Sequence, residues 1–155
     1  MSIATQICDD LVSYLTGTEA VITALSARHS GDYTVERQVY ISDELQDLDG
    51  LKIIVTPGGV AGGKRMRVAT EYIYTVGVII RSPLVMSELD TSVSVLGEFS
   101  DELFMQLHGY KPTTVSGIRG LELRDISMES LYSYRSIESY TIYDALILMN
   151  FGYYR

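Results

Sequence analysis

The run from Arg67 to Arg81 constrains the fold of this chain more than any other stretch. Tyr72, Tyr74, Val76, Val78 and Ile80 recur at every second position, and Glu71, Thr75, Gly77 and Arg81 fall between them with Ile73 and Ile79. A period of two sends alternate side chains to opposite faces of a strand, whereas a helix would scatter the same residues around its axis. The run therefore reads as one long β-strand.

The first partner lies just upstream. Leu51 to Thr56 is apolar and rich in β-branched residues, and Pro57-Gly58-Gly59 opens a glycine-rich stretch that continues through Gly63. The two segments predict a β-hairpin with a long, flexible tip at about 57–67. A third strand is expected over Asp32 to Ile41, where Tyr33, Val35, Arg37, Val39 and Ile41 alternate with polar residues; an acidic turn follows. The C-terminal part, Leu121 to Arg155, predicts two more strands joined near Tyr134 to Glu138, and six of the 12 tyrosines fall in its last 24 residues. From Tyr140 onward the final strand is apolar on both faces. Tyr140, Ile142, Leu146 and Leu148 lie on one face, and Tyr143, Ala145, Ile147, Met149 and Phe151 on the other. Such a strand requires cover on both sides, from helices or from a neighbouring subunit.

Helical periodicity appears twice. Ile3, Ile7, Leu11 and Leu15 stand four apart with Cys8 and Val12 beside them, Ser2 is placed to cap the N-terminus, and Gly17 offers a stop. Leu89, Val93, Leu96, Ser100, Leu103 and Leu107 repeat at steps of four and three, after a break at Ser82-Pro83 and before Gly109 and Lys111-Pro112. Thr18 to Leu25 is a short apolar stretch compatible with helix or strand. The expected architecture is α+β: a mostly antiparallel β-sheet with a long hairpin, an N-terminal helix, and one long helix packed on the sheet. A chain of 155 residues suits one domain spanning residues 1–155.

Composition excludes several classes of function. At 46% hydrophobic residues the chain is too apolar for a disordered protein, and a net charge of −8 opposes a surface built to grip nucleic-acid phosphates. A single cysteine, Cys8, excludes an internal disulfide and a cysteine zinc cluster, and two histidines, His29 and His108, leave little for other metals. Asp9 and Asp10 interrupt the segment where a secretory signal needs an unbroken apolar core, so an intracellular protein is expected. Ala145 to Met149 is far too short to span a bilayer, and no membrane association is expected.

Individual motifs add little enzymatic chemistry. Gly58 to Lys64 matches the glycine, four residues, Gly-Lys spacing of a phosphate loop, but Arg65 stands where Ser or Thr must hold magnesium, and a strand rather than a helix follows. Cys8 paired with His29 would make a nucleophile and base, yet Cys8 lies on the apolar side of a helix, where cysteine behaves as a small hydrophobe. His108 suits the helix dipole at a C-terminus. Asp9-Asp10 and Asp101-Glu102 are adjacent in helices and point in different directions, which reads as solvated faces; Asp43, Glu44, Asp47 and Asp49 read as an exposed turn. No catalytic residue, metal or cofactor is expected.

The distribution of charge is more informative. Between Lys52 and Arg81 five basic residues accompany one acid, a local balance of +4 that leaves −12 on the rest of the chain. Lys64, Arg65 and Arg67 occupy the hairpin tip. They keep a long tip soluble, reach an acidic surface on another copy or a partner, or touch nucleic-acid backbone without base stacking, since no aromatic residue is interleaved in the tip. The candidate interface residues are Lys64, Arg65, Met66 and Arg67 on the tip, with Tyr143, Phe151 and Tyr153 on the final strand.

The helix Ile3 to Leu15, the strands around Pro57 to Lys64, the break at Pro83-Leu84, the helix Ser87 to His108 and the tyrosine-rich ending from Ser139 to Arg155 together resemble the tail terminator (tail completion) proteins of long-tailed bacteriophages. The resemblance covers nearly the full chain and rests on length, element order and composition, so it carries no site residues across. It implies a non-enzymatic virion structural protein, made in the bacterial host cytoplasm and incorporated at the tail and neck. Such a protein forms a hexameric ring on the tail tube protein, ends tube polymerisation, and presents a surface to the head-closure or neck protein. Genomic DNA passes through the ring without specific binding. The alternatives are a head-closure or other neck connector protein, a homo-oligomeric scaffold unrelated to phage, and a nucleotide-binding enzyme using the Gly58 to Lys64 loop.

Overall fold

The structure, a computed structural model, describes residues 1–29, 31–39, 48–65, 69–113, 115, 120–128 and 142–155, with 63–65 described in their backbone alone. Three helices and a five-stranded sheet make up the described residues, in the order α1 (Ile3–Gly17), α2 (Glu19–Ser26), β1 (Tyr33–Arg37), β2 (Leu51–Arg65), β3 (Thr70–Pro83), α3 (Leu89–His108), β4 (Glu122–Met128) and β5 (Ile142–Tyr154). The sheet order is β1-β2-β3-β5-β4. All pairings are antiparallel except that of β1 with β2. This is the α+β architecture expected from the periodicities, with the long helix on the sheet.

Local chemistry explains the helix ends. The Ser2 hydroxyl accepts from the Thr5 backbone N–H at 3.2 Å, so α1 starts where the capping signal stands. Thr18 to Leu25 resolves as helix, because Val21 and Leu25 are four apart and both reach the core. A single 3₁₀ turn, Met86–Glu88, leads into α3. The other end of α3 corrects one expectation. Gly109 follows the helix, but its φ of −84° is right-handed, so the left-handed freedom of glycine goes unused there. The turn closes through short-range bonds instead, Gly109 N–H to Gln106 at 3.2 Å and Tyr110 N–H to Leu107 at 3.2 Å.

Register sorts the sheet into two unlike faces. Ile53 and Val55 of β2 stand opposite Ile80 and Val78 of β3, which stand opposite Ala145 and Ile147 of β5. These residues pack with Ile7, Leu11, Leu15, Phe99, Leu103 and Leu107 in one core beneath the helices. Helix α1 contacts β1, β2 and β3, whereas α3 contacts β4 and β5, so two helices roof the sheet side by side. The opposite face carries the row Ile54, Ile79 and Leu146 between polar rows such as Lys52, Arg81 and Asp144. None of these residues belongs to the helix-packed core.

Candidate functional site

The feature that the fold presents most distinctly is the far half of the β2–β3 pair. Strand β1 ends its pairing with β2 at Val55, so among the described residues β2 is an edge strand from Pro57 onward. A proline, which has no N–H to give a neighbour, is tolerated on such an edge and beside an irregularity in the pairing. The glycine-rich stretch expected to be a loop tip is strand instead: Pro57 pairs with Val76, Val60 with Tyr74, Gly62 with Tyr72 and Arg65 with Thr70. Two irregularities, between Pro57 and Val60 and between Gly62 and Arg65, let the pairing continue. The first explains Gly58, since a Cβ there would lie 2.7 Å from the Thr75 carbonyl oxygen. Gly58 thus serves close strand contact, Gly59 and Gly62 have open space around them, and among the described residues the element after Lys64 is a strand, not a helix.

The arm is braced by a third strand. β5 follows β3 outward as far as Glu71 opposite Tyr154, and Thr70 and Arg155 exchange both backbone hydrogen bonds, at 2.8 and 3.0 Å. On the helix side Tyr153 stacks between Tyr72 and Tyr74, with ring centroids 5.7 and 5.9 Å apart. Burial, and then the hydrogen bond to Tyr153, push the Tyr74 hydroxyl up to about 12. On the other side a bulge between Leu123 and Asp125 re-aims Arg124 across Gly152. There it pairs with Glu71 at 3.5 Å and lies over the Tyr154 ring at 5.5 Å. A side chain at Gly152 would sit 2.9 Å from Arg124 Cγ, so the glycine makes room for this clamp.

The expected interface residues divide. Lys64 and Arg65 close β2 at the arm's far end; Met66 and Arg67 lie outside the described residues. Tyr143 and Phe151 are wholly buried and Tyr153 is 7% exposed. Tyr143 hydrogen-bonds Ser100 at 2.9 Å, and Phe151 meets Tyr110 edge-on. Both rings fill the chain's own core, so the apolar face of β5 that carries them is covered from within and they are not surface contacts. Of the acidic turn, Asp43, Glu44 and Asp47 lie outside the described residues and Asp49 is exposed.

The remaining chemical candidates settle into structural roles. Burial pushes the Cys8 thiol up to about 12 despite the pull of Arg37, which leaves no thiolate for nucleophilic attack near neutral pH. His29 and Tyr33 both flank Phe99, at 6.0 and 5.7 Å; burial lowers the pKa of His29. His108 packs edge-on against Phe104 at 4.7 Å. A cleft of about 660 Å³ runs between the end of α3 and β4, and its charges, Lys111 and Arg124 against Glu122 and Asp125, are balanced.

One pair departs from the expected solvated face. Asp9 is half-buried and pairs with Arg37 at 2.9 Å, but Asp10 is only 6% exposed. It accepts from the Tyr110 hydroxyl, from Thr113 N–H at 3.3 Å and from Thr113 Oγ1 at 3.1 Å. The signal was present in the periodicity, because Asp10 stands three residues after Ile7 on the same apolar stripe. Among known proteins, no family model and no curated sequence matches the chain.

Proposed function

We propose that this chain is a non-enzymatic virion structural protein of the tail terminator kind, which forms a hexameric ring on the tail tube, ends tube polymerisation and offers a surface to the head-closure or neck protein. The observation that carries the reading is the braced arm: about 25–30 Å of strand between Pro57 and Arg65, basic at its end, extends from an acidic body. An arm of one sign on a body of the other suits subunits that meet head to tail, each offering a patch that differs from the one it receives. The acidic body also suits a channel through which genomic DNA slides, since phosphate binding there would oppose passage.

Imaging the purified chain by negative-stain electron microscopy tests this. The expected particle is a six-subunit ring with a central channel, which binds tail tubes in the absence of heads. Single-subunit particles at every concentration would overturn the reading, and a ring that binds heads but ignores tubes would favour the neck connector.

A further inference from the structure

The arm's destination can be located on the molecule, on the premise that copies associate in a ring. Strand β3 runs from Thr70, opposite Arg65 at the arm's end, to Pro83 at the other end of the sheet. At ~3.3 Å per residue those ends are about 43 Å apart. Just past Pro83 the chain exposes two neighbouring large apolar side chains, Val85 at 54% and Met86 at 67%, while Leu84 between them and the strand is buried. Glu88 and Asp90 follow immediately and are exposed. From Ser82 to Gly109 there is no Lys or Arg, and five acids. Glu102 pairs with Arg28, while Glu88, Asp90, Glu98 and Asp101 have no ion pair among the described residues. Asp90, Ser94, Glu98, Asp101 and Met105 fall at steps of four and three, all exposed, so the outer face of α3 continues the acidic surface as one stripe.

We infer that the turn Val85 to Asp90 and the outer face of α3 receive the β2–β3 arm of a second copy of this chain. Complementarity is twofold. Lys64 and Arg65 bring positive charge to unpaired acids, and the arm's own exposed apolar residue, Val60 at 61%, meets Val85 and Met86. An arm cannot fold back on its own acceptor across about 43 Å of rigid sheet, so the contact is between molecules. Donor and acceptor are different patches at opposite ends of one strand, so, on the premise of a ring, each copy gives its arm to one neighbour and receives an arm from the other; mutual exchange between two copies would instead stop at a two-fold dimer.

Charge exchange tests the contact with the full chain, by sedimentation velocity and light scattering across a concentration series. Lys64→Glu with Arg65→Glu, and separately Glu88→Lys with Asp90→Lys, are each expected to raise the concentration for half-assembly about tenfold or more by placing like charges together. Val85→Ser with Met86→Ser is expected to do the same without altering charge. All these positions lie outside the described core, so unchanged circular dichroism and thermal melting serve as the folding control. The chain with all four charge reversals, and an equimolar mixture of the two reversed pairs, are expected to assemble near the wild-type concentration, since every arm then faces an acceptor of opposite sign. A four-reversal chain no better than either pair would overturn the contact. So would wild-type assembly in every variant, which would leave the ring itself standing. A wild-type chain that stays monomeric throughout would overturn both.

Discussion

Replacing Asp10 by alanine tests whether a buried carboxylate on α1 holds the segment that follows α3. The substitution removes the acceptor for the Tyr110 hydroxyl and for two groups of Thr113, and Tyr110 is only 2% exposed, so its hydroxyl cannot turn to water. Hydrogen bonds to a charged group are worth ~1.5–3 kcal/mol each, and a donor left buried costs ~1–3 kcal/mol. Relief of the carboxylate's own desolvation offsets part of this, leaving a net loss of about 3 kcal/mol. For a domain of this size that lowers Tm by ~6–12 °C. Tyr110→Phe deletes one donor and leaves Thr113 in place, so about 1–2 kcal/mol is expected. Urea denaturation of the two single variants and the double variant closes a cycle, with an expected coupling of about 1 kcal/mol or more. An Asp10→Ala protein within 1 kcal/mol of wild type, or strictly additive losses, would refute the clamp.

Gly58→Ala drives a Cβ to 2.7 Å from the Thr75 carbonyl oxygen and is expected to cost ~1–3 kcal/mol, whereas Gly59→Ala, with open space around it, is expected to be near neutral; chemical denaturation of the two distinguishes a tight strand pair from a loose loop. Stability is expected to fall in alkali, because burial raises the folded-state pKa of Cys8, Tyr14, Tyr33, Tyr74 and Tyr110. The unfolded chain then releases protons first, so the loss begins near the ordinary thiol pKa and steepens above the ordinary tyrosine value of about 10. Urea midpoints from pH 8 to 11 check the slope, and Cys8→Ala is expected to flatten its first part. Magnesium ATP or GTP is expected to leave Tm unchanged in wild type and in Lys64→Ala alike; a rise of several degrees that the variant abolishes would restore the phosphate-loop reading.

Much of the fold was legible because periodicity is a local property. Alternation over Arg67 to Arg81 and steps of four and three over Leu89 to Leu107 required no knowledge of neighbours; the first is strand from Thr70 onward, with 67 and 68 outside the described residues, and the second is α3. The segment Pro57 to Arg65 was misread for the same reason. Proline and glycine are loop signals in isolation, yet here the pairing of β1 with β2 ends at Val55, Pro57 falls on an edge among the described residues, and Gly58 passes close to Thr75. Tyr143 and Phe151 resembled surface aromatics only because the sequence does not reveal which side of β5 the helices cover. Asp10 needed the position of Tyr110, one hundred residues away.

By itself, then, the sequence determined the type of every element except α2 and the outer half of β2, the α+β class and the separation of a basic hairpin from an acidic remainder, all of which depend on residues close together in the chain. Tertiary structure alone decided which face of each strand is core and that the hairpin is a braced arm. It also set the exposed turn from Val85 to Asp90 at the opposite end of β3. Those outcomes depend on register and on helix placement, and contacts between residues distant in sequence are what fix both.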